Sequence, residues 1–341
     1  MRIKLHLSML LLFCVVLLGV TGCDSRFKAE VTLTKYVTDL SRSQFFSLSA
    51  PAPVMPMGLP SLRDRQQTLT QFDIGLLDFL SLQQCDVGAV AGRKNSILGK
   101  VMPDSQRFLY ELDIIRAIES CDIKSDDLSE ELQLVAKTKQ LELPKAFSNA
   151  IFNGAESDAF FSLSNGYLPL DYSTAQQQDL LDALSRLVVI GEALPRLPIV
   201  DGEQFEEDLK ILMNSEFAGK LLYSLVQITA NLNAVANQVG SLEGVCGAPL
   251  TYLKQQFEVN YVETIQPYMG RIQGGAYQVL PLLNKLINLT APHSDTMSAF
   301  LAQFSLTTSD SVWAEYQQAS QWHAKSWSNL FSACSVTIRP S

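Results

Sequence analysis

Apolar side chains recur at intervals of three and four residues along most of this 341-residue sequence. That spacing places them on one face of an α-helix, so the pattern is typical of amphipathic helices that pack together. The clearest stripe lies near the carboxyl end and consists of Trp313, Tyr316, Ser320, His323, Trp327, Leu330 and Cys334. With 47% hydrophobic and 18% charged residues, the chain can bury a large core. We therefore predict an all-α fold, a multi-helix bundle.

The same pattern predicts helices at residues 29–41, 61–85, 103–121, 126–141, 173–194, 202–214, 216–239, 248–289, 294–304 and 309–334. One stretch favours strands instead. Residues 160–164 and 167–172 flank Asn165-Gly166, a preferred two-residue turn of β-hairpins. Pro169 has no backbone N–H and would confine the second strand to an edge. We therefore expect at most one small β-hairpin, near residues 160–172.

The amino-terminal residues have the pattern of a secretory signal peptide. Arg2 and Lys4 precede an apolar run over residues 9–20. That run is about a dozen residues long, whereas a helix that spans a membrane needs about 20. We therefore predict a cleaved leader and no transmembrane anchor at this end.

The leader ends in Val20-Thr21-Gly22-Cys23. This ending resembles the lipobox of bacterial lipoproteins, in which the cysteine is acylated and becomes the first mature residue. The resemblance implies a periplasm-facing protein of the bacterial cell envelope, held on a membrane by lipid at Cys23. Several acyl chains anchor a protein stably where one does not. Asp24 resembles the retention signal of the inner membrane, and the outer membrane is the alternative.

Three parts of the chain are predicted. Residues 1–22 are the signal peptide, and residues 23–60 are a lipidated amino terminus with a short helix and a proline-rich connector. The connector contains Pro51, Pro53, Pro56 and Pro60, which exclude a continuous helix. Residues 61–341 form the helical domain, with a sub-boundary near 142–172.

The net charge of the sequence excludes one class of partner. The formal charge is −9, and loss of the leader removes two basic residues, which leaves 24 − 35 = −11. Proteins that bind DNA or RNA neutralise phosphates with clustered lysine and arginine. We therefore expect no nucleic-acid partner. No remaining stretch is long and apolar enough to span a membrane, so we expect a water-soluble body.

Apart from the leader and Cys23, the chain contains four cysteines: Cys85, Cys121, Cys246 and Cys334. An even number in an exported chain indicates two disulfides. Four cysteines allow three pairings, and the sequence does not choose strictly among them. Their order favours Cys85 with Cys121 and Cys246 with Cys334, which would make the last helix an antiparallel neighbour of helix 248–289. The spacing lacks the close pairs of a metal cluster.

Residues 88–108 form a basic segment in an acidic protein. The candidate binding residues are Arg93, Lys94, Asn95, Ser96, Lys100 and Arg107. Clustered cations of this kind attract an anionic group or an acidic partner surface. The alternative is that the glycines permit turns and the basic residues only solvate the surface. We expect residues 86–102 to form a long surface connection, and its glycine spacing does not fit a phosphate-binding P-loop.

Several short segments carry a resemblance to a known family. They are residues 93–100, Ser105-Gln106-Arg107, Tyr110-Glu111, Ile265-Gln266-Pro267-Tyr268 and the ending from Trp322-His323 to Cys334, with Cys85 and Cys121 bracketing the first three. Together they resemble a family of uncharacterised gammaproteobacterial lipoproteins, defined only as a domain of unknown function. The resemblance extends over most of the mature chain. It implies a location but no catalytic residue.

Histidines and carboxylates are the other sources of chemistry in the sequence. His293 follows a proline in a predicted turn, and His323 lies on the apolar stripe, where a buried, hydrogen-bonded histidine is expected. Carboxylates cluster at 126–127, 130–131 and 203–208, near predicted first turns of helices, where they complement the helix dipole. Catalysis on a glycan would need two of them close together in space. No metal site is predicted.

The leading functional hypothesis is an interaction or assembly module at the cell envelope, tethered by Cys23 and binding an envelope protein partner. One alternative is a lipid-tethered enzyme that acts on cell-wall glycans through paired carboxylates. The other is a small-ligand binder with a cavity between helices. No catalytic constellation is recognisable, and we expect no cofactor.

Overall fold

The computed structural model of the protein describes residues 26–72, 82, 85–97, 99–122, 125–290 and 292–334. These residues form helices and turns and contain no strand, so the all-α prediction is confirmed. The helices are α1 (Arg26–Leu40), α2 (Leu62–Arg65), α3 (Asp86–Asn95), α4 (Asp104–Glu119), α5 (Asp126–Phe152), α6 (Ala155–Phe160), α7 (Gln178–Ala193), α8 (Gly202–Ser215), α9 (Phe217–Gly240), α10 (Ala248–Gln256), α11 (Gln266–Leu289), α12 (Asp295–Ala302) and α13 (Val312–Ala333). A π-helical stretch, Phe257–Ile265, joins α10 to α11. Among the described residues, no helix has both the length and the apolar character needed to cross a membrane.

Helix α1 is part of the hydrophobic core. Its inward face consists of Ala29, Leu33, Tyr36, Val37 and Leu40, all of which are buried. This face packs mainly against the π-helical stretch, with further contacts to α9 and α10. Part of the segment 23–60, which the sequence places ahead of the helical domain, therefore supplies core side chains.

After α1 the chain crosses the molecule as a largely non-helical segment, residues 46–72, which we call the strap. Three side-chain amides hold it, and each one accepts a hydrogen bond from a backbone N–H and donates one to the carbonyl of the same residue. The pairs are Gln227 with Val54, Gln303 with Met57 and Asn149 with Gln67, at 2.5 to 3.1 Å. The amides satisfy backbone groups that a neighbouring strand would otherwise satisfy.

The helix predicted for residues 61–85 is wrong over its described first half. It begins where predicted but ends at Arg65, and residues 66–72 are not helical. The buried Arg65 guanidinium donates to the Phe152 carbonyl at 2.7 Å, while Asn149 engages the backbone two residues further on. These long-range bonds replace the next turn of helix. Residues 73–81 of the predicted helix lie outside the described residues.

The surface connection predicted for residues 86–102 is also wrong, because residues 86–95 form α3. Its side chains Val87, Val90 and Ala91 are buried against the core. Two glycines lower the helix propensity of this segment by about 1 kcal/mol each, which is why the sequence suggests a loop. Burial of the apolar face and the disulfide at Cys85 outweigh that preference.

Residues 160–172 form no hairpin, so the expectation of strands there is wrong. Phe160 ends α6, and residues 163–165 are a 3-10 turn. Two helices satisfy the backbone of this segment, since the Leu168 N–H donates to Ser224 Oγ at 2.8 Å and Tyr268 Oη donates to the Leu168 carbonyl at 2.7 Å. Gly219 of α9 permits the approach, because a Cβ atom there would lie 2.1 Å from the Ser162 carbonyl oxygen.

In the carboxyl-terminal part of the bundle, α13 lies mainly along α9. Aromatic ring contacts join α13 to the 248–289 region, and the contacting residues follow each other in opposite order along the two segments. The pairs are Phe331 with Phe257 at 5.7 Å, His323 with Tyr261 at 4.3 Å and Trp313 with Tyr277 at 5.2 Å between ring centroids. The predicted antiparallel arrangement is confirmed. The favoured disulfides, Cys85–Cys121 and Cys246–Cys334, are both present.

Candidate functional site: a cleft beside helix α4

The basic residues singled out in the sequence have different surroundings. Arg93 is exposed and forms an ion pair with Asp113 at 2.9 Å. The Ser96 hydroxyl donates to the Arg93 carbonyl at 2.7 Å and so closes the end of α3. The structure does not describe the side chains of Asn95 and Lys100. A binding role for these residues stays a prediction.

Arg107, by contrast, is turned toward the interior of the protein. Its Nε donates to Glu111 Oε1 at 2.5 Å, one turn along α4. The second oxygen of Glu111 accepts from Lys139 Nζ of α5 at 2.6 Å. The side-chain exposures are 17% for Arg107, 4% for Glu111 and 5% for Lys139. The three residues therefore form a largely buried cluster of two cations and one carboxylate.

Lys139 is a member of the cluster that the sequence did not predict. A lysine on an amphipathic helix is expected to face water, and 28 residues separate Lys139 from Glu111 along the chain. A signal was available, however, because Leu132, Val135 and Leu143 place Lys139 on the apolar stripe of α5. Charged residues on such a stripe are buried only when they are paired.

The Tyr110 ring lies among the cations of this region. The Arg107 guanidinium carbon is 5.3 Å from the ring centroid, and the ammonium nitrogens of Lys94 and Lys139 are each 6.0 Å from it. Cations over an aromatic face at such distances are attracted by its quadrupole. Burial raises the pKa of Tyr110 to about 12, and the negative charge of Glu111 adds to the effect. Tyr110 is therefore a neutral platform at physiological pH.

Arg107 lines an open cleft of about 670 Å³ between the strap and the beginning of α4, which we call the α4 cleft. Its lining is rich in amides and includes Arg63, Gln66, Gln67, Gln71, Asp104 and Asn149. Gly99 also lines it, and glycine is required there because a Cβ atom would lie 2.2 Å from the Arg93 carbonyl oxygen. Among the described residues, the Arg107 guanidinium forms a hydrogen bond only through its Nε, and Arg107 is part of the cleft lining.

Two further spaces adjoin the α4 cleft. One, of about 600 Å³, shares Gln66, Met102 and Asp104 with it and continues toward α6. The other, of about 240 Å³, shares Gln71 and is lined mostly by apolar residues together with Tyr110 and Lys139. The three spaces share lining residues, and together they offer more room than a small-molecule pocket requires.

Residues 33–338 match the model of a protein family, DUF3080, whose description is "protein of unknown function". The match extends over most of the chain, from within α1 to beyond α13. The chain belongs to the DUF3080 family. No curated protein and no solved structure matches it.

Neither His293 nor His323 of this DUF3080 protein lines the α4 cleft. His323 is fully buried, and its Nε2 lies 3.0 Å from Tyr36 Oη, as the prediction of a hydrogen-bonded core histidine requires. His293 packs edge-on against Phe152, and burial lowers its pKa. In the part of the chain that the structure describes, no group of histidine, cysteine and carboxylate side chains could hold a metal ion.

The carboxylate clusters of the DUF3080 protein have structural surroundings. Asp126 and Asp127 occupy the first turn of α5, as predicted, and Glu203 occupies that of α8. Asp208 is buried and forms an ion pair with Arg186 at 2.6 Å. Helix termini and ion pairing therefore account for Asp126, Asp127, Glu203 and Asp208.

Proposed function

We propose that this DUF3080 protein is a lipid-anchored, periplasm-facing protein of the bacterial envelope whose α4 cleft binds an acidic segment of a partner protein. The proposal depends chiefly on one observation. The guanidinium of Arg107 is fixed by Glu111, Arg107 lines the cleft, and the cluster contains one more cation than carboxylate.

A buried charge needs a counter-charge, and this cluster has one cation in excess. Lys139 and Arg107 share the single carboxylate of Glu111. Desolvated cations without a full complement of partners are costly, so an anionic group that entered the cleft would complete the cluster. Arginine suits this role because its planar guanidinium binds a carboxylate through two parallel hydrogen bonds.

The surroundings of Arg107 favour a peptide segment as the bearer of that carboxylate. Gln66 and Gln71 line the cleft with groups that both donate and accept hydrogen bonds, as a peptide backbone does. The chain already binds its own strap backbone through paired amide contacts. The same chemistry is suited to a second extended segment.

Envelope localisation is supported by the leader and by Cys23. Two disulfides are typical of proteins in an oxidising compartment. Asp24 favours the inner membrane, with the outer membrane as the alternative. Helix α1 begins at Arg26, three residues after Cys23, so lipid at Cys23 would hold the folded body close to the bilayer.

The anchor is tested by labelling cells with radioactive palmitate. We expect the wild-type protein to incorporate label and to fractionate with membranes, whereas Cys23→Ala abolishes the labelling. Cys14→Ala, which changes a cysteine inside the leader, is the matched control and should leave labelling intact. Equal labelling of the Cys23→Ala protein would rule out this anchor.

The cleft is tested with a fluorescent hexaglutamate peptide as the acidic probe and hexaglutamine as the neutral control. Loss of a charge-assisted hydrogen bond costs about 1.5 to 3 kcal/mol, so Arg107→Gln should weaken hexaglutamate binding by about tenfold or more. Arg93→Gln removes a nearby exposed cation that already has a partner and should change binding by about twofold at most. Equal effects of the two variants, or no binding of hexaglutamate to the wild type, would overturn the assignment.

A further inference from the structure

A second open pocket, of about 850 Å³, lies beside the amino-terminal end of α1. Lys28 of α1 lines it, together with residues 170–174 and the beginning of α11. Lys28 is five residues from Cys23, and a chain spans at most about 3.5 Å per residue, so the pocket lies within about 17 Å of the proposed lipid attachment point. If Cys23 is embedded in a bilayer, this pocket is at the bilayer surface.

The lining of this pocket contains groups that bind phosphate. Lys28 and Arg271 contribute two positive charges, and Asp171 contributes one negative charge, so the net charge is +1 on a protein that is acidic overall. The Arg271 Nη2 donates to the Leu170 carbonyl at 2.5 Å, which fixes the guanidinium. Its buried Nε has no hydrogen-bond partner among the described residues. Ser173 and Thr174 add hydroxyl groups that can donate to phosphate oxygens.

Two glycines of α11 leave space in the pocket. Gly270 and Gly274 stand one helical turn apart and both line it. A Cβ atom at Gly270 would meet no heavy atom within 4 Å, and one at Gly274 would make only ordinary contact with Thr174. Glycine lowers helix stability by about 1 kcal/mol relative to alanine. Packing of the chain against itself does not require glycine at position 270. An occupant of the pocket would require it, because a side chain there would take up the space that the occupant needs.

We propose that this pocket binds the phosphate-bearing headgroup of an anionic phospholipid in the membrane that holds the anchor. The inference rests on the proposed acylation of Cys23, which brings the pocket to the bilayer. Cations near an anionic membrane surface contribute about 1 kcal/mol each. Lys28 and Arg271 therefore hold the body in one orientation on the surface, and the α4 cleft then has a fixed presentation to partners.

The test is vesicle flotation with the mature chain, residues 23–341, carrying Cys23→Ser, so that no acyl chain contributes to binding. Vesicles of phosphatidylglycerol and phosphatidylcholine are compared with vesicles of phosphatidylcholine alone. We expect flotation with the anionic vesicles only. Lys28→Gln should weaken it by about fivefold, which corresponds to the loss of about 1 kcal/mol.

Gly270→Leu fills the pocket without removing a charge, and the open space at Gly270 means that the helix can accept the side chain. It should weaken flotation about as much as Lys28→Gln does. Lys210→Gln removes an exposed cation of α8 and is the matched control, which should bind like the wild type.

If Gly270→Leu floats like the wild type, the effect of Lys28→Gln comes from surface charge alone, and the proposal that the pocket binds a headgroup is wrong. Equal binding to both kinds of vesicle, or a loss in Lys210→Gln equal to that in Lys28→Gln, would overturn it as well. Because the test chain lacks the acylated cysteine, failure of the pocket is distinguishable from failure of the anchor, which the palmitate labelling measures separately.

Discussion

His323 is a polar side chain in the middle of an aromatic core. Trp327 Nε1 can only donate, and it lies 3.2 Å from His323 Nε2 and 3.0 Å from Tyr36 Oη. Nε2 therefore accepts, the Tyr36 hydroxyl donates to it, and Nδ1 carries the proton without a partner among the described residues. Burial lowers the pKa of His323 to about 3. The imidazole is thus neutral in the folded protein at every pH near neutrality.

This neutrality predicts acid sensitivity. In the unfolded chain His323 has an ordinary pKa near 6.5. Between about pH 6.5 and pH 3, the unfolded chain therefore binds a proton at His323 that the folded chain does not bind. The free energy of unfolding decreases as the pH falls through this range. From pH 7 to pH 5 the free energy of unfolding should decrease by about 2 kcal/mol. Urea unfolding at both pH values measures it. His323→Gln should remove most of the decrease, and His293→Gln should remove a smaller part. An unchanged pH dependence in His323→Gln would contradict the assignment.

The buried cluster beneath the α4 cleft supports a second prediction at this scale. Glu111→Gln leaves Arg107 and Lys139 without a counter-charge, and breaking a buried pair in this way costs about 3 to 5 kcal/mol. Asp113→Asn, on the same helix, removes the solvent-accessible ion pairs with Arg93 and Arg116 and should cost about 0.5 kcal/mol or less. Urea unfolding of the two variants compares them directly. Similar losses would mean that Glu111 is not the counter-charge of a buried cluster.

The sequence predicts the helices that carry a regular apolar stripe. Its predictions fail where contacts between distant residues determine the backbone conformation. The last helix and the helices 202–214 and 216–239 are correct to within about three residues. Residues 66–72 have the spacing of a helix, yet contacts with α5 hold them in another conformation. The α4 cleft could be predicted only through Arg107, because Lys139 and the strap reach it from distant parts of the chain.

The amide contacts of the strap give a prediction for one element. Asn149→Ala removes two hydrogen bonds to the Gln67 backbone and leaves that N–H and carbonyl unpaired, so it should cost about 2 kcal/mol. Ser148→Ala is the matched control, since the Ser148 hydroxyl is buried without a partner among the described residues, and it should be neutral or slightly stabilising. Urea unfolding measures both. The Asn149→Ala protein should also be cut faster by proteases within residues 66–72, and equal behaviour of the two variants would rule out this role.

The two disulfides close loops of different length in the chain. Cys85–Cys121 closes 36 residues and joins the end of α4 to the start of α3, whereas Cys246–Cys334 closes 88 residues and joins the carboxyl end of α13 to the loop before α10. A crosslink restricts the unfolded chain more when the loop it closes is longer. The second disulfide therefore constrains the larger part of the bundle.

Removal of each pair should show this difference. Loop-closure entropy predicts that removal of either disulfide lowers the free energy of unfolding by about 4 kcal/mol. The double variant Cys246→Ala/Cys334→Ala should lose about 0.8 kcal/mol more than the double variant Cys85→Ala/Cys121→Ala. Urea unfolding of the two double variants under the same buffer measures the difference. A larger loss from the shorter loop would show that strain or local packing, and not loop length, sets the contribution of each disulfide.

The contact between Tyr36 and His323 joins residues separated by 287 positions. A ribosome that extends a chain by about 5 to 20 residues per second needs about 15 to 60 s to make the second partner after the first. During that interval the apolar face of α1 has been synthesised, but the part of its binding site that α13 supplies has not. Completion of the core must therefore wait for the synthesis of α13, and a chaperone that shields the apolar face of α1 would protect the chain until then.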